Sequence, residues 1–145
     1  MEVTEINVTA KLVDNFRIDV DNQRAHTIAL DLEPPDGKDM GPSALEVCIM
    51  SFAGCYATIF MLTAKKMRFR VKGLEVKVEA LKSEEAGTIT KVDAHILVDS
   101  DLPRDRLQRA HELTVKTCPV GILFEKANVK IKYQLSETSI SAKLA

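Results

Sequence analysis

Across residues 2–33 apolar and polar positions largely alternate, with Val, Ile, Thr and Leu recurring. A period of two belongs to strands with one covered face. Turn-forming breaks at Asp14-Asn15 and Asp21-Asn22-Gln23 divide the segment into a three-stranded antiparallel meander. Pro34-Pro35-Asp36-Gly37 ends it, and the polar stretch to Gly41 is a loop. Ser43-Ala-Leu-Glu46, just behind Pro42, has the form of a capping box, and helical residues then run to about Met67. Lys65, Lys66 and Arg68 suit the negative end of that helix dipole. Alternation returns over residues 74–82 and 88–98, separated by Ser83-Glu-Glu-Ala-Gly87, which predicts a hairpin. Asp101-Leu-Pro103 opens a helix that is amphipathic over residues 105–116, with Leu107, Ala110, Leu113 and Thr114 inward. Cys118-Pro119 ends or kinks it, a short helix follows to Lys126, and residues 129–135 read as a last strand. The layout is of the α+β class. One domain is expected over residues 1–145: meander 1–33, central helix 43–67, a hairpin, helices and last strand over 72–135, and a polar tail 136–145.

Residues 47–64 contain no charge, close to the minimum for a membrane span. Ser51, Gly54, Cys55, Tyr56 and Thr58 interrupt the run, and strand-like segments flank it, so it reads as a helix buried on all sides. A chain of 145 residues is short for covering such a helix alone, which predicts a homodimer. Twenty basic residues against twenty-one acidic ones leave a formal charge of −1 and give no ground for nucleic acid or an anionic membrane surface as partner. The start has no basic-then-apolar pattern and the end no lipidation motif, so the cytoplasm is the expected location.

Three cysteines are too few for a disulfide scaffold and must be weighed one by one. Cys48 and Cys55 lie two helical turns apart on nearly one face. Cys48, among Val47, Ile49 and Met50, reads as a packing residue, whereas Ala53-Gly54 leaves room beside the sulfur of Cys55. Cys118 precedes a proline at a helix break, where N–H groups opening the next helix favour a thiolate. His26, His95 and His111 make no metal-ligand spacing with the cysteines, and there is no Cys-x-x-Cys, so no metal is expected. His95 and His111 read as solvent-facing; His26, ahead of the third strand, reads as a surface or satisfied histidine.

Gly41-Pro-Ser-Ala-Leu-Glu-Val-Cys-Ile-Met-Ser-Phe-Ala-Gly-Cys55 resembles the central-helix signature of the OsmC/Ohr family, and Thr117-Cys118-Pro119-Val120 resembles its second signature. That resemblance spans nearly the whole chain. It implies antiparallel sheets wrapped around a long central helix, in an intertwined homodimer with two active sites at the interface. It further implies a peroxidase in which Cys55 attacks the O–O bond and Cys118 resolves the sulfenic acid. The family's arginine lies on an early strand, which points to Arg17, with Arg24 as second candidate, and its acid in the first helical turn, which points to Glu46. Here the acid stands nine residues before Cys55, one position from its usual place in an Asn-Pro-Glu opening. The implied substrates are organic hydroperoxides, and possibly hydrogen peroxide, because Phe52, Tyr56 and Ile59 are expected to line an apolar site. The implied reductant is a dithiol, lipoyl- or thioredoxin-like, and no cofactor is called for. The competing readings are a non-catalytic member of the same fold that binds an apolar small molecule or senses redox state, and a structural module with inert thiols.

Overall fold

The computed structural model describes residues 2–138. The chain divides into two compact units, residues 1–48 and 49–145.

In the first unit β1 (Thr9–Asp14), β2 (Arg17–Asp21) and β3 (Thr27–Leu30) form an antiparallel sheet in chain order. The expected meander is therefore present. Asn15 makes the turn between β1 and β2 with φ +50°, a left-handed conformation that asparagine accepts readily. Ile18 pairs with Leu12 on one side and with Leu30 on the other. The loop after β3 folds back on itself: the Asp31 N–H donates to the Pro42 carbonyl at 3.2 Å and the Asp39 N–H to that of Leu32 at 3.0 Å. Gly41 lies directly against the Ala29 carbonyl, where any side chain would collide with backbone. Leu12, Val13, Phe16 and Ile28 of this unit are exposed.

The long helix α1 (Ala44–Met67) starts in the first unit and runs through the second. Its opening is the predicted capping box: the Ser43 N–H donates to Glu46 Oε1 at 3.0 Å and the Glu46 N–H to Ser43 Oγ at 3.2 Å. Its end is a Schellman-type turn, with Arg68 at φ +57° and the Phe69 N–H reaching the Ala64 carbonyl at 3.1 Å. Within the single chain the helix is covered on one face only. Phe52, Tyr56, Phe60, Thr63 and Ala64 are buried, whereas Leu45, Met50, Met61 and Leu62 are exposed, and only 28% of the most apolar 18-residue window is covered. The reason is geometric. The second unit packs on the stripe that carries Phe52, Tyr56 and Phe60, and Met50 and Met61 lie on the opposite side of the helix.

The second unit continues with β4 (Val71–Ser83), β5 (Thr88–Ser100), α2 (Arg104–Thr117), α3 (Pro119–Lys126) and β6 (Lys130–Glu137). β4 and β5 pair antiparallel as a long hairpin, and β6 lies on the other edge of β5 in parallel, so this sheet is mixed and not wholly antiparallel. The return through α2 and α3 is a crossover, which lets β6 enter in the direction of β5. β6 also extends two residues into the segment expected as tail; residues 139–145 of that segment lie outside the described residues. The core draws Phe52, Tyr56 and Phe60 from α1, Val92, Ala94, Ile96 and Val98 from alternate positions of β5, and Leu107, Ala110, Phe124 and Leu135 from the later elements. Burying a side chain of this size contributes about 1.5–3 kcal/mol.

Candidate active site

Cys55 sits midway along α1, half-buried, and a methyl group placed on neighbouring Gly54 would touch nothing within 4 Å. Cys118 is the joint between α2 and α3. Pro119 removes the N–H that would continue α2, so the backbone at Cys118 turns extended, with φ −71° and ψ 110°. Its own N–H still closes α2 on the Thr114 carbonyl at 2.9 Å, and its carbonyl starts α3 by accepting the Ile122 N–H at 2.9 Å.

These two placements bring the sulfurs together. Cys118 Sγ lies 3.2 Å from Cys55 Sγ, and the Gly121 N–H donates to Cys118 Sγ at 3.4 Å. A disulfide bond is about 2.05 Å long, so roughly 1 Å of movement would close it. Cys118 is only 1% exposed. Burial pushes its thiol up to about 11, outweighing the Gly121 N–H that favours the anion, so the thiolate expected at this helix start is not what the surroundings favour. Burial also raises Tyr56 and holds Tyr133 near 12.

Cys48 is exposed, not packed in the core as expected: it shares a helix stripe with Phe52 and Cys55 but stands in the first turns of α1, ahead of the first buried residue of that helix, Phe52. Phe52 and Tyr56 themselves do not line an open apolar pocket. Phe52 stacks on Phe124 with ring centroids 5.1 Å apart, and Tyr56 packs against Phe60 and Tyr133.

In the first unit Arg17 is half-buried on β2, and its Nε is buried with no hydrogen-bond partner. It borders a cavity of about 210 Å³ with Asp14, Asn15, Asp31, Lys38 and Met40. Asp31 is buried and serves as the hub of its loop, accepting the N–H groups of Leu32 at 2.8 Å, Met40 at 3.0 Å and Lys38 at 3.3 Å. Those N–H groups, with Met40 foremost, hold its carboxyl below the usual range, and the Arg17 charge adds to the effect. Arg24 is exposed in the turn before β3. Glu46 is occupied with Ser43, whose backbone and side chain both lower its pKa, and among the described residues it forms no ion pair with Arg17. Asp31 is the carboxylate on which the Arg17 charge acts, and the two border the same cavity.

His111 corrects a second expectation. It is buried, and its Nδ1 lies 2.6 Å from the Tyr56 hydroxyl. The signal was in the sequence: Leu107, Ala110, His111 and Thr114 follow the i, i+3, i+4, i+7 stripe of a core-facing helix. Burial holds the imidazole below its ordinary pKa. His95 is half-buried, with Nε2 2.9 Å from Ser136 Oγ, and His26 is exposed, with Nδ1 3.0 Å from Asn22 Nδ2. Among the described residues no three His, Cys, Asp or Glu side chains gather as a metal site.

Comparison with known proteins gives one consistent answer. The family described as OsmC-like protein matches residues 36–134. Protein YhfA of Escherichia coli (strain K12) is 30% identical over 129 residues, covering 86% of this chain and 94% of the relative. Among solved structures, an OsmC-like protein from Mycoplasma pneumoniae superposes with a TM-score of 0.84 at 16% identity, over 94% of this chain and 99% of that one. The organic hydroperoxide resistance protein OhrB of Bacillus subtilis does so with a TM-score of 0.63 at 20% identity, over 92% and 98%.

Proposed function

Because the chain belongs to the OsmC-like protein family, we propose that it is a cysteine-based peroxidase that reduces organic hydroperoxides to alcohols. The observation that carries this reading is the 3.2 Å approach of Cys118 Sγ to Cys55 Sγ, between residues 63 positions apart in sequence. In the first step the Cys55 sulfur attacks the distal oxygen of ROOH, the O–O bond breaks, the alkoxide takes a proton and leaves as ROH, and Cys55 becomes a sulfenic acid. In the second, Cys118 attacks the Cys55 sulfur, its proton joins the departing hydroxide as water, and a disulfide forms. An external dithiol then returns two electrons and two protons.

Arg17 enters as the cation for the peroxide oxygens, a role suited to a half-buried guanidinium whose Nε is unpartnered. Glu46 enters through the helix start it holds. The OhrB relative, described as an organic hydroperoxide resistance protein, supports the substrate class. A homodimer belongs to the same reading: Met50, Met61 and Leu62 leave α1 with an exposed apolar side that a second copy would cover. The setting is a reducing cytoplasm.

The test is kinetic. Reduced protein mixed anaerobically with an alkyl hydroperoxide and quenched over milliseconds to seconds should consume one equivalent in a fast phase and lose two thiols. No thiol loss faster than that of glutathione would contradict the peroxidase and favour the non-catalytic binding or sensing reading.

A further inference from the structure

The 2.6 Å hydrogen bond between Tyr56 and His111 joins α1 to α2 inside the core. Its place in the sequence relates it to both sulfurs. Tyr56 directly follows Cys55, so whatever fixes the direction of the tyrosine fixes that of the cysteine, about 100° round the same helix. His111 lies seven residues before Cys118, two turns along α2, so the two share a face.

Apolar packing fixes the depth of α1 but says little about its roll, because it has no preferred direction. Hydrogen bonds are directional. A sulfur about 5 Å from a helix axis moves by about 1 Å for a roll of 10°, and such a shift is comparable to the whole gap to be closed. Tyr133 steadies the arrangement, with its ring edge-on to His111 at 5.4 Å and tilted against Tyr56 at 6.0 Å.

We infer that Tyr56 and His111 are positioning residues that lock the roll of α1 against α2 and thereby hold Cys55 and Cys118 at disulfide-forming distance. This rests on the dithiol part of the proposed function and not on the identity of the oxidant.

The full chain is equilibrated with reduced and oxidised dithiothreitol, and the Cys55–Cys118 disulfide is quantified by alkylation and mass spectrometry. Tyr56→Phe and His111→Leu should each lower the exchange constant by at least about tenfold, and His111→Gln, which keeps an acceptor, should stay within about threefold of the unmodified chain. Val92→Ala, a core truncation on β5, controls for lost stability and should leave the constant unchanged. Tyr56→Phe deletes one oxygen and carries the test should His111→Leu not fold. A change below tenfold in Tyr56→Phe, or an equal fall in Val92→Ala, would overturn the inference. A chain that forms the disulfide in this buffer yet ignores alkyl hydroperoxide would remove the peroxidase reading and leave the roll lock standing.

Discussion

Cys118 donates its S–H to the sulfur of Cys55 across 3.2 Å while accepting the Gly121 N–H at 3.4 Å. The pair is unequal. The donor is the fully buried thiol, which burial keeps protonated to about pH 11, and the acceptor is the half-buried one beside open space at Gly54. That inequality is the physical reason for giving attack to Cys55 and resolution to Cys118.

The same inequality predicts selective alkylation. At pH 8 a thiol of pKa about 11 is about one part in a thousand thiolate, against roughly a quarter for a free cysteine. Iodoacetamide should therefore modify Cys118 at least about two orders of magnitude more slowly than a free thiol, with exposed Cys48 labelled early. Peptide mapping over a time course checks this, and equal labelling of Cys118 and Cys48 would contradict it.

His111 predicts a slope in stability on the acid side. Its folded pKa is lowered by burial, so below the unfolded value of about 6.5 the unfolded chain binds the proton and the folded chain resists it. The stability associated with a neutral His111 is fully present above that pH and is lost as pH falls towards the lowered folded value. Urea midpoints should drop between pH 7.5 and pH 5.5, and His111→Gln should flatten that drop. An unchanged slope in the variant would show that His111 is not its source.

On the proposed role of Arg17 as the cation for the peroxide oxygens, Arg17→Ala should slow sulfenic acid formation by about tenfold or more. Arg24→Ala, at an exposed turn position, should leave it unchanged. Trapping of sulfenic acid with a dimedone probe reads both. Equal rates in all three proteins would remove the arginine from the reaction.

Ser43→Ala removes the side-chain half of the capping box and should cost about 1 kcal/mol of stability without altering disulfide formation. Thermal unfolding and thiol titration of the same sample separate the two effects.

Much of this was legible in the sequence. The alternation before Glu33, the capping box at Ser43 and Glu46, and the Cys118-Pro119 break each carry their own local chemistry, and each folds as its residues dictate. What the sequence did not reveal depends on which side of an element faces another. The uncharged run of α1 reads as uniformly apolar, so it could not show that Met50 and Met61 are exposed while Phe52 and Tyr56 are buried. The parallel entry of β6 is set by the crossover through α2 and α3, not by its own pattern. His111 reads as solvent-facing because histidine is polar, although it occupies the apolar stripe and is satisfied by a tyrosine 55 positions earlier in the chain. Nothing local marks Asp31 as a hub, because its three N–H donors come from the folded loop.

Mass spectrometry of peroxide-treated protein tests the proposed redox pairing of Cys55 with Cys118. After one equivalent of alkyl hydroperoxide the expected product is a Cys55–Cys118 disulfide with Cys48 unmodified; in Cys118→Ser, Cys55 should instead accumulate as sulfenic and then sulfinic acid. A Cys48–Cys118 bridge, or three intact thiols after many equivalents, would contradict it.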